Sequence, residues 1–362
     1  MLLRNAKILN SDFEFEFSDI EISNGKIIKI LPQNEKKQEE ATDLSGCTII
    51  PGLIDVHIHG CNGIDTMENN FEALSVYLAK NGITSFLPTT MTLPVSELKN
   101  TLSTSTRVSG AQILGFHLEG PYVSSAYKGA QNEKYIKEPD INDFEGFDNI
   151  KMITIAPEIN GAMEFIKEAS KKYSVSLGHT ETNYETAIEA IENGANCVTH
   201  LFNAMKAFSH REPNLLGAAF EKNIYTQIIC DGIHVHKAAV NMAYRLFSEN
   251  RLVLISDALS PCGLADGTYD LGKQTVTVEN GIAKLSDGTI AGSTSNLFEC
   301  VKTAVKFGIP FEKAVKMASK NPADLIGENK KGRIKVGYDA DLVVLDSDLN
   351  VANTYVKGIL KA

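Results

Sequence analysis

The sequence predicts an α/β fold: a closed (β/α)8 barrel of the TIM type with a small β-sandwich domain. Two observations support this prediction. Eight short apolar runs, rich in β-branched residues, alternate with helix-like stretches along the middle of the chain, which favours a parallel sheet that can close into a barrel. Both ends of the chain instead consist of short strand-like runs separated by turns. We therefore expect residues 1–50 and 331–362 to form one split β domain, and residues 51–330 to form the barrel.

The clearest local signal near the N-terminus is a β-hairpin. In IEISNGKIIKI, apolar and polar residues alternate on both sides of Asn24-Gly25, and Asn-Gly is a strong signal for a two-residue hairpin turn. The C-terminal segment GRIKVGYDADLVVLDSDLNVANTYVKGILKA likewise contains short strand patterns and turns. These two segments are the expected halves of the small β domain.

The barrel prediction depends on the middle of the chain. Helical patterns such as FEALSVYLAKNG and YETAIEAIENG lie between the apolar runs and end in Asn-Gly, which is a good helix stop. The eight predicted strands are GLIDVHIHG, GITSFLPTT, ILGFHLEGP, KMITIAPE, VSLGHT, CVTHLFNAM, YTQIICDGIHV and LVLISDAL.

Two further elements are expected after the eighth strand. QTVTVENGIAKLSDGTIAG carries turn signals at Asn280-Gly281 and Asp287-Gly288, which predict a hairpin excursion before the closing helix. NPADLIG predicts a short helix with Asn321 as its N-cap, because proline follows at the first helical position.

Composition excludes several classes of partner. The 362-residue chain has a net charge of −10 with both signs interspersed, which argues against a nucleic-acid surface. No apolar run approaches the roughly 20 residues of a membrane span, so no membrane partner is expected. The six cysteines are scattered and form no CxxC pair, which favours free thiols in the reducing cytoplasm.

Polar residues follow the predicted strands at their C-terminal ends, where barrels of this type build their active sites. His57 and His59 lie two residues apart on one strand and so point to the same face. Alone, this pair more often marks a polar strand end than a metal site. The residues in question are His57, His59, Glu119, His179, His200, His234 and Asp257.

These residue types are typical of a metal-dependent hydrolase. Glu119, His179 and His200 would supply a carboxylate and two imidazoles, a common catalytic-zinc set that leaves a position for water. Asp257 could take a proton from that water and pass it to a leaving nitrogen. Its alternative role is to cap the following helix or turn. The set predicts one or two divalent ions, with zinc favoured over iron, manganese or cobalt.

A family resemblance rests on seven motifs that occur in order over residues 51–293: PGLIDVHIHG, HLEGPY, GHT, THLFNAM, DGIHV, SDA and AGS. The chain resembles the amidohydrolase superfamily, and within it the deacetylases of N-acetylated hexosamine 6-phosphates. The resemblance implies hydrolysis of the acetamide of N-acetyl-D-glucosamine 6-phosphate to D-glucosamine 6-phosphate and acetate, in amino-sugar catabolism. It also implies that Glu119, His179 and His200 hold the principal metal, that His57 and His59 complete a second site, and that Asp257 is the general base and acid.

The resemblance further implies a substrate site and an assembly. Arg211 suits a phosphate, because its forked guanidinium is permanently charged; a surface salt bridge is its alternative role. In the family, the counterpart of Arg211 reaches across a dimer interface, so a homodimer is expected. The substrate-binding residues implied are Ala130, Gln131, Asn203, Ala204, Arg211, His234, Ser295, Asn296 and Leu297.

Two departures from the wider pattern leave alternatives open. KGAQ places Gln131 where the family usually has a histidine, and the predicted fourth strand KMITIAPE ends without the lysine that bridges two metals in many relatives. Glu119 would replace that lysine. The alternatives are a deacetylase of N-acetylgalactosamine 6-phosphate, a different amidohydrolase such as a cyclic-amide hydrolase, and a non-catalytic binding relative. The last should have lost its metal ligands or its catalytic acid.

Overall fold

The computed structural model describes residues 1–32 and 41–362, so residues 33–40 of the predicted small domain lie outside the described residues. The chain begins with β1 (Leu2–Leu9), β2 (Phe15–Ser23), β3 (Lys26–Pro32), β4 (Ala41–Asp43) and β5 (Thr48–Pro51). The predicted hairpin is confirmed, since β2 and β3 pair antiparallel around Asn24 and Gly25. Their φ angles of 50° and 74° are the positive values that a type I′ turn needs.

Strands and helices then alternate, as the sequence predicts, although the stretch between β11 and β12 contains only short 3₁₀ turns among its described residues. The elements are β6 (Leu53–Ile58), β7 (Gly60–Cys61), β8 (Ile64–Asp65), α1 (Phe71–Lys80), β9 (Ile83–Thr90), α2 (Val95–Leu102), β10 (Gln112–Ile113), β11 (Phe116–Glu119), β12 (Ile150–Ile155), α3 (Ala162–Ala169), β13 (Ser174–Leu177), α4 (Tyr184–Glu192), β14 (Cys197–Val198), α5 (Asn214–Lys222), β15 (Tyr225–Ile229), α6 (Lys237–Arg251) and β16 (Leu252–Ile255).

Eight of these strands form a nearly closed parallel barrel, which confirms the predicted fold class. The order of pairing is β6, β9, β11, β12, β13, β14, β15 and β16. The last strand lies beside the first, since Asp257 N donates to His57 O at 2.9 Å and His59 N donates to Ala258 O at 2.8 Å. All eight predicted runs contribute a strand.

The strands read as continuous apolar runs because both of their faces are buried. On β16, Leu252 and Leu254 pack outward into the cluster that includes the helices. Val253 and Ile255 belong instead to the cluster inside the barrel. Ala323, Leu325 and Ile326 join that inner cluster from the end of the barrel opposite the strand C-termini.

A hairpin follows the barrel strands, as predicted, formed by β17 (Gly267–Leu271), β18 (Gln274–Glu279) and β19 (Ile282–Lys284). Three helices come next: α7 (Leu297–Lys306), α8 (Phe311–Ala318) and α9 (Lys320–Leu325). The prediction that Asn321 caps α9 is wrong, because Asn321 lies inside the helix. Its side-chain amide donates to Glu249 O at 2.9 Å and to Leu252 O at 2.6 Å, so it fastens α9 to the start of β16.

The chain ends with β20 (Leu342–Leu345), β21 (Val351–Val356) and β22 (Ile359–Leu360). These strands join the N-terminal ones in a single sheet, in the order β22-β21-β20-β5-β1-β2-β3, with β4 beside β1. The two ends of the chain therefore meet through the antiparallel pair β5–β20. Apolar side chains from both ends of the chain pack in one buried cluster on this sheet. The domain boundaries at residues 50 and 331 stay predictions. Among the described residues, no helix is both long and apolar enough to cross a membrane.

Candidate metal centre

The barrel strands aim six ionisable side chains at one point. His57 lies in β6 with His59 just beyond it, and Glu119 is the last residue of β11. His179, His200 and Asp257 each lie two residues beyond a strand and have φ angles of 50°, 27° and 48°. A positive φ is uncommon outside glycine, and such backbone clusters at functional sites. The turn after each strand thus directs its side chain inward.

Glu119 is the centre of the cluster and is only 2% exposed. Its Oε1 lies 3.1 Å from His57 Nε2, 3.2 Å from His179 Nε2 and 3.0 Å from His200 Nε2. Its Oε2 lies 3.1 Å from His59 Nε2. These residues form two sets of three ligands that share Glu119. One set adds His57 and His59, the other adds His179 and His200, and each could hold a metal ion.

The nitrogen geometry fits a divalent cation. His57 Nε2 and His59 Nε2 are 3.2 Å apart, and His179 Nε2 and His200 Nε2 are 3.1 Å apart. Two imidazole lone pairs that face each other at this distance repel unless a proton or a cation lies between them. Imidazole nitrogens with a carboxylate are also the donors that catalytic zinc sites use.

The electrostatics of the cluster favour added positive charge. Burial disfavours the charged form of His59, but Asp257 and Glu119 outweigh burial and raise its pKa to about 10. Burial would raise the pKa of Glu119, but His57 and His179 hold it well below the usual 4.5. The carboxylates therefore stay ionised and stabilise whatever cation binds between the imidazoles.

Asp257 faces the cluster from the turn after β16, which lies beside β6. Its Oδ1 lies 3.4 Å from both His57 Nε2 and His59 Nε2. Burial acts to raise its pKa, but the positive charges of His57 and His59 lower that pKa to about 2. No backbone N–H within the described chain donates to this carboxylate, so Asp257 is not a cap. It is an ionised group able to accept a proton.

Two of the histidines are oriented by hydrogen-bond acceptors that the sequence reasoning did not identify. His57 Nδ1 lies 3.1 Å from Gln227 Oε1, and His179 Nδ1 lies 3.0 Å from Tyr127 O. These acceptors place the ring N–H on Nδ1 and leave Nε2 free to bind a metal. His117 packs edge-on against His57, with ring centroids 4.6 Å apart. Gln227 and His117 each left a signal in the sequence, as a polar residue within an apolar strand.

A cavity opens onto the cluster and is lined by most of the predicted substrate residues. Its wall includes His59, Glu119, His179, His200 and Asp257 together with Ala130, Gln131, Asn203, Ala204 and His234. Met91, Ile229, Leu259 and Leu271 supply an apolar side to the same cavity. Ligand sites of enzymes commonly combine such an apolar wall with a few convergent polar groups.

Two of the polar residues in this wall are already engaged. Gln131 Nε2 donates to Glu119 Oε2 at 2.7 Å, and Gln131 Oε1 accepts from Thr92 N at 2.6 Å. His234 lies between Asp231 Oδ2 at 2.7 Å and Ala291 O at 2.8 Å. Burial disfavours charge on His234, but the Asp231 carboxylate outweighs it and raises the pKa of His234.

Four predicted substrate residues lie outside this cavity wall. Arg211 is exposed in the loop after β14 and makes none of the ion pairs found among the described residues. Ser295, Asn296 and Leu297 form the start of α7, where Asn296 caps the helix by accepting from Glu299 N at 3.1 Å. Leu297 is fully buried.

Comparison with known proteins places this site in a family. The amidohydrolase family model matches residues 48–360, so the chain belongs to the amidohydrolase family and is a hydrolytic enzyme. It is 35% identical to the N-acetylglucosamine-6-phosphate deacetylase of Lysinibacillus sphaericus, over 100% of this chain and 97% of that one. The Bacillus subtilis deacetylase is 34% identical, over 99% and 96%.

Solved structures agree with the sequence comparison. The N-acetylglucosamine-6-phosphate deacetylase of Thermotoga maritima superposes with a TM-score of 0.90 at 35% identity, covering 100% of this chain and 99% of that one. A variant of the Mycobacterium smegmatis deacetylase, in complex with N-acetyl-D-glucosamine 6-phosphate, gives a TM-score of 0.93 at 31% identity over the same shares. The resemblance seen in the motifs is thus confirmed over the whole chain.

Proposed function

We propose that this enzyme hydrolyses the acetamide of N-acetyl-D-glucosamine 6-phosphate to D-glucosamine 6-phosphate and acetate. The observation that carries the proposal is the convergence of Glu119, His179 and His200 opposite Asp257 at the mouth of the barrel. The full-length deacetylase relatives, one of them with this sugar phosphate bound, support the choice of substrate.

The metal ligands follow from the donor set. Glu119, His179 and His200 would hold the principal divalent ion, with zinc favoured because imidazole and carboxylate donors suit it. His57 and His59 would complete a second site with Glu119, and iron, manganese and cobalt are the alternatives to zinc. When bound there, such a cation would polarise the acetyl carbonyl and lower the pKa of a nearby water.

Asp257 moves the proton in this proposal. Its ionised carboxylate takes a proton from the attacking water, whose oxygen forms a bond to the acetyl carbonyl carbon. Asp257 then gives the proton to the sugar nitrogen, and the C–N bond breaks to release acetate and the amine. Its position beside His57 and His59 keeps this carboxylate ionised at neutral pH, so it is ready to act as the base first.

The sugar would lie in the cavity between the cluster and the β17–β18 hairpin. Asn203, Ala204 and His234 line that cavity. His234 is held through Nδ1 by Asp231, which leaves Nε2 as the nitrogen that can donate to substrate. The interaction of Nε2 with Ala291 O would have to be exchanged for one with the substrate.

The phosphate ligand Arg211 is proposed to act in a homodimer. Arg211 lies outside its own cavity on an exposed loop, and the same loop carries Phe208, which is 55% exposed. An exposed aromatic residue beside an arginine is typical of a protein interface. Arg211 would therefore enter the partner's cavity. A monomeric preparation with full activity would contradict this part of the proposal.

The test is acetate release from a panel of N-acetylated hexosamine phosphates, with metal content measured in the same sample. We expect the enzyme to release acetate from N-acetylglucosamine 6-phosphate and to contain bound divalent metal. A chelator should abolish the activity. Faster release from N-acetylgalactosamine 6-phosphate would identify that epimer as the substrate. Protein that binds no metal and releases no acetate would indicate a non-catalytic relative. We also place the enzyme in the cytoplasm, because all six cysteines carry free thiols.

A further inference from the structure

The side chain of Gln131 contacts the metal cluster itself, whereas the family resemblance implies that it binds the sugar. Its side chain is 2% exposed, and both ends of its amide are used. Nε2 donates to Glu119 Oε2 at 2.7 Å, and Oε1 accepts from Thr92 N at 2.6 Å. The amide therefore spans from a backbone N–H next to β9 to the central carboxylate of the cluster.

This contact is distinct from the other contacts of Glu119. The remaining neighbours of its carboxylate are the Nε2 atoms of His57, His59, His179 and His200. An imidazole that binds a cation through Nε2 has no proton there to donate. The amide of Gln131 is neutral at every accessible pH and keeps its N–H, so its hydrogen bond to Glu119 is compatible with a bound metal.

We propose that Gln131 is a positioning residue for the metal site, which holds Glu119 so that Oε1 faces His179 and His200. The inference rests on the proposed function, because it concerns the same metal. Carboxylates that bind metals are themselves held by hydrogen bonds, and loss of such a partner typically costs about 10- to 100-fold in metal affinity. Thr92 N fixes the far end of the amide and so determines which way its NH2 group points.

The experiment is a competition between the protein and a fluorescent chelator for zinc, with wild type and Gln131→Met. Methionine keeps the length of the side chain but removes the donor. We expect the dissociation constant of the tighter zinc to rise by about 10- to 100-fold. At saturating zinc, KM for the sugar phosphate should stay at the wild-type value. Gln131→Asn, which keeps the amide but shortens its reach, should weaken zinc in the same direction and serves if the methionine variant does not fold.

Gln274→Met is the matched control. Gln274 is the first residue of β18, and its Nε2 donates to Ala130 O at 2.8 Å. This change therefore removes an amide that contacts the loop of Gln131 without touching Glu119. The zinc affinity of Gln274→Met should equal that of wild type. If both variants bound zinc equally weakly, the order of the loop, and not the contact with Glu119, would determine zinc affinity.

Two results would overturn the inference in different ways. Unchanged zinc affinity with a raised KM in Gln131→Met would make Gln131 a substrate ligand and leave the proposed function intact. Wild-type protein that neither binds zinc nor releases acetate would remove the proposed function itself, and the inference with it.

Discussion

At the scale of single residues, the site depends on groups that the barrel brings together from distant parts of the sequence. The sequence predicts the ligands because they follow recognisable strands. It does not predict their supports, since Gln227 lies 170 residues from His57 and Tyr127 uses its backbone oxygen. A backbone carbonyl carries no signature in the residue type, so only the folded chain reveals it.

The role of Asp257 gives the first prediction. Asp257→Asn keeps the shape of the side chain but removes the group that accepts the proton of water. We expect kcat to fall by about 10²- to 10⁴-fold while the metal content stays at the wild-type value, because the three principal ligands are untouched. Steady-state kinetics and elemental analysis of the same preparation provide the measurement. Normal turnover by the variant would exclude Asp257 as the base.

The Asp231–His234 pair gives a prediction on pH dependence. The pKa of His234 is raised above 6.5, so its contribution to stability is complete below pH 6.5 and is lost as pH rises through the raised value. Burial opposes ionisation of Asp231, but His234 holds its pKa below 3.8, so its contribution is present above 3.8 and is lost on further acidification. The pair therefore stabilises the fold most between these two values.

Asp231→Asn should accordingly lower the free energy of unfolding more at about pH 6 than at about pH 9. Denaturant unfolding of both proteins at the two pH values measures this difference. If the variant lowered the free energy of unfolding equally at the two pH values, Asp231 and His234 would act as a neutral hydrogen bond.

At the scale of elements, the turn that carries Asp257 is held in place by the segment around Ser293, which lies directly against it. Ser293 N donates to Asp257 O at 2.7 Å, and Leu259 N donates to Ser293 O at 2.9 Å. A Cβ on Gly292 would clash with Asp257 O. The glycine of the AGS motif is thus needed for this approach, and the sequence alone did not indicate that reason.

Gly292→Ala should therefore push the Asp257 turn away from the cluster and lower kcat, while the rest of the barrel folds normally. Gly267→Ala is the control from the same excursion, because a Cβ there would meet Tyr269 at an ordinary 3.5 Å. Kinetics and circular dichroism of both variants test the prediction. Equal activity of the two would mean that the backbone can shift without moving the carboxylate.

The elements themselves were largely predictable, and the misses have physical reasons. Strands buried on both faces stay apolar throughout, so all eight could be found from their runs. Helix caps are less certain, and Asn321 shows why: its amide satisfies carbonyls of the neighbouring Glu249 and Leu252 instead of the helix end. Tertiary contacts of this kind override a local capping signal.

At the scale of the whole molecule, the proposed dimer predicts that two inactive variants can restore activity when they are combined in one dimer. If Arg211 acts in the partner's cavity, Arg211→Ala and Asp257→Asn homodimers are each defective. A mixed dimer has one cavity with its own Asp257 and the arginine of the other subunit. Co-expression of the two tagged variants should therefore restore activity in the purified mixed dimer, to no more than half of the wild-type value. An inactive mixed dimer would place Arg211 in the cavity of its own subunit, whereas a fully active Arg211→Ala homodimer would place it outside catalysis.

The pairing of β5 with β20 has a consequence for how the protein is made on the ribosome. β5 is complete after residue 51, but the strand that covers its free edge ends at Leu345. During most of translation that edge exposes unpaired N–H and C=O groups, which are a template for contacts with other chains. A strand made after the whole barrel thus covers an edge made before it. A chain released by a ribosome that stalls between these two strands would keep the edge uncovered and open to aggregation.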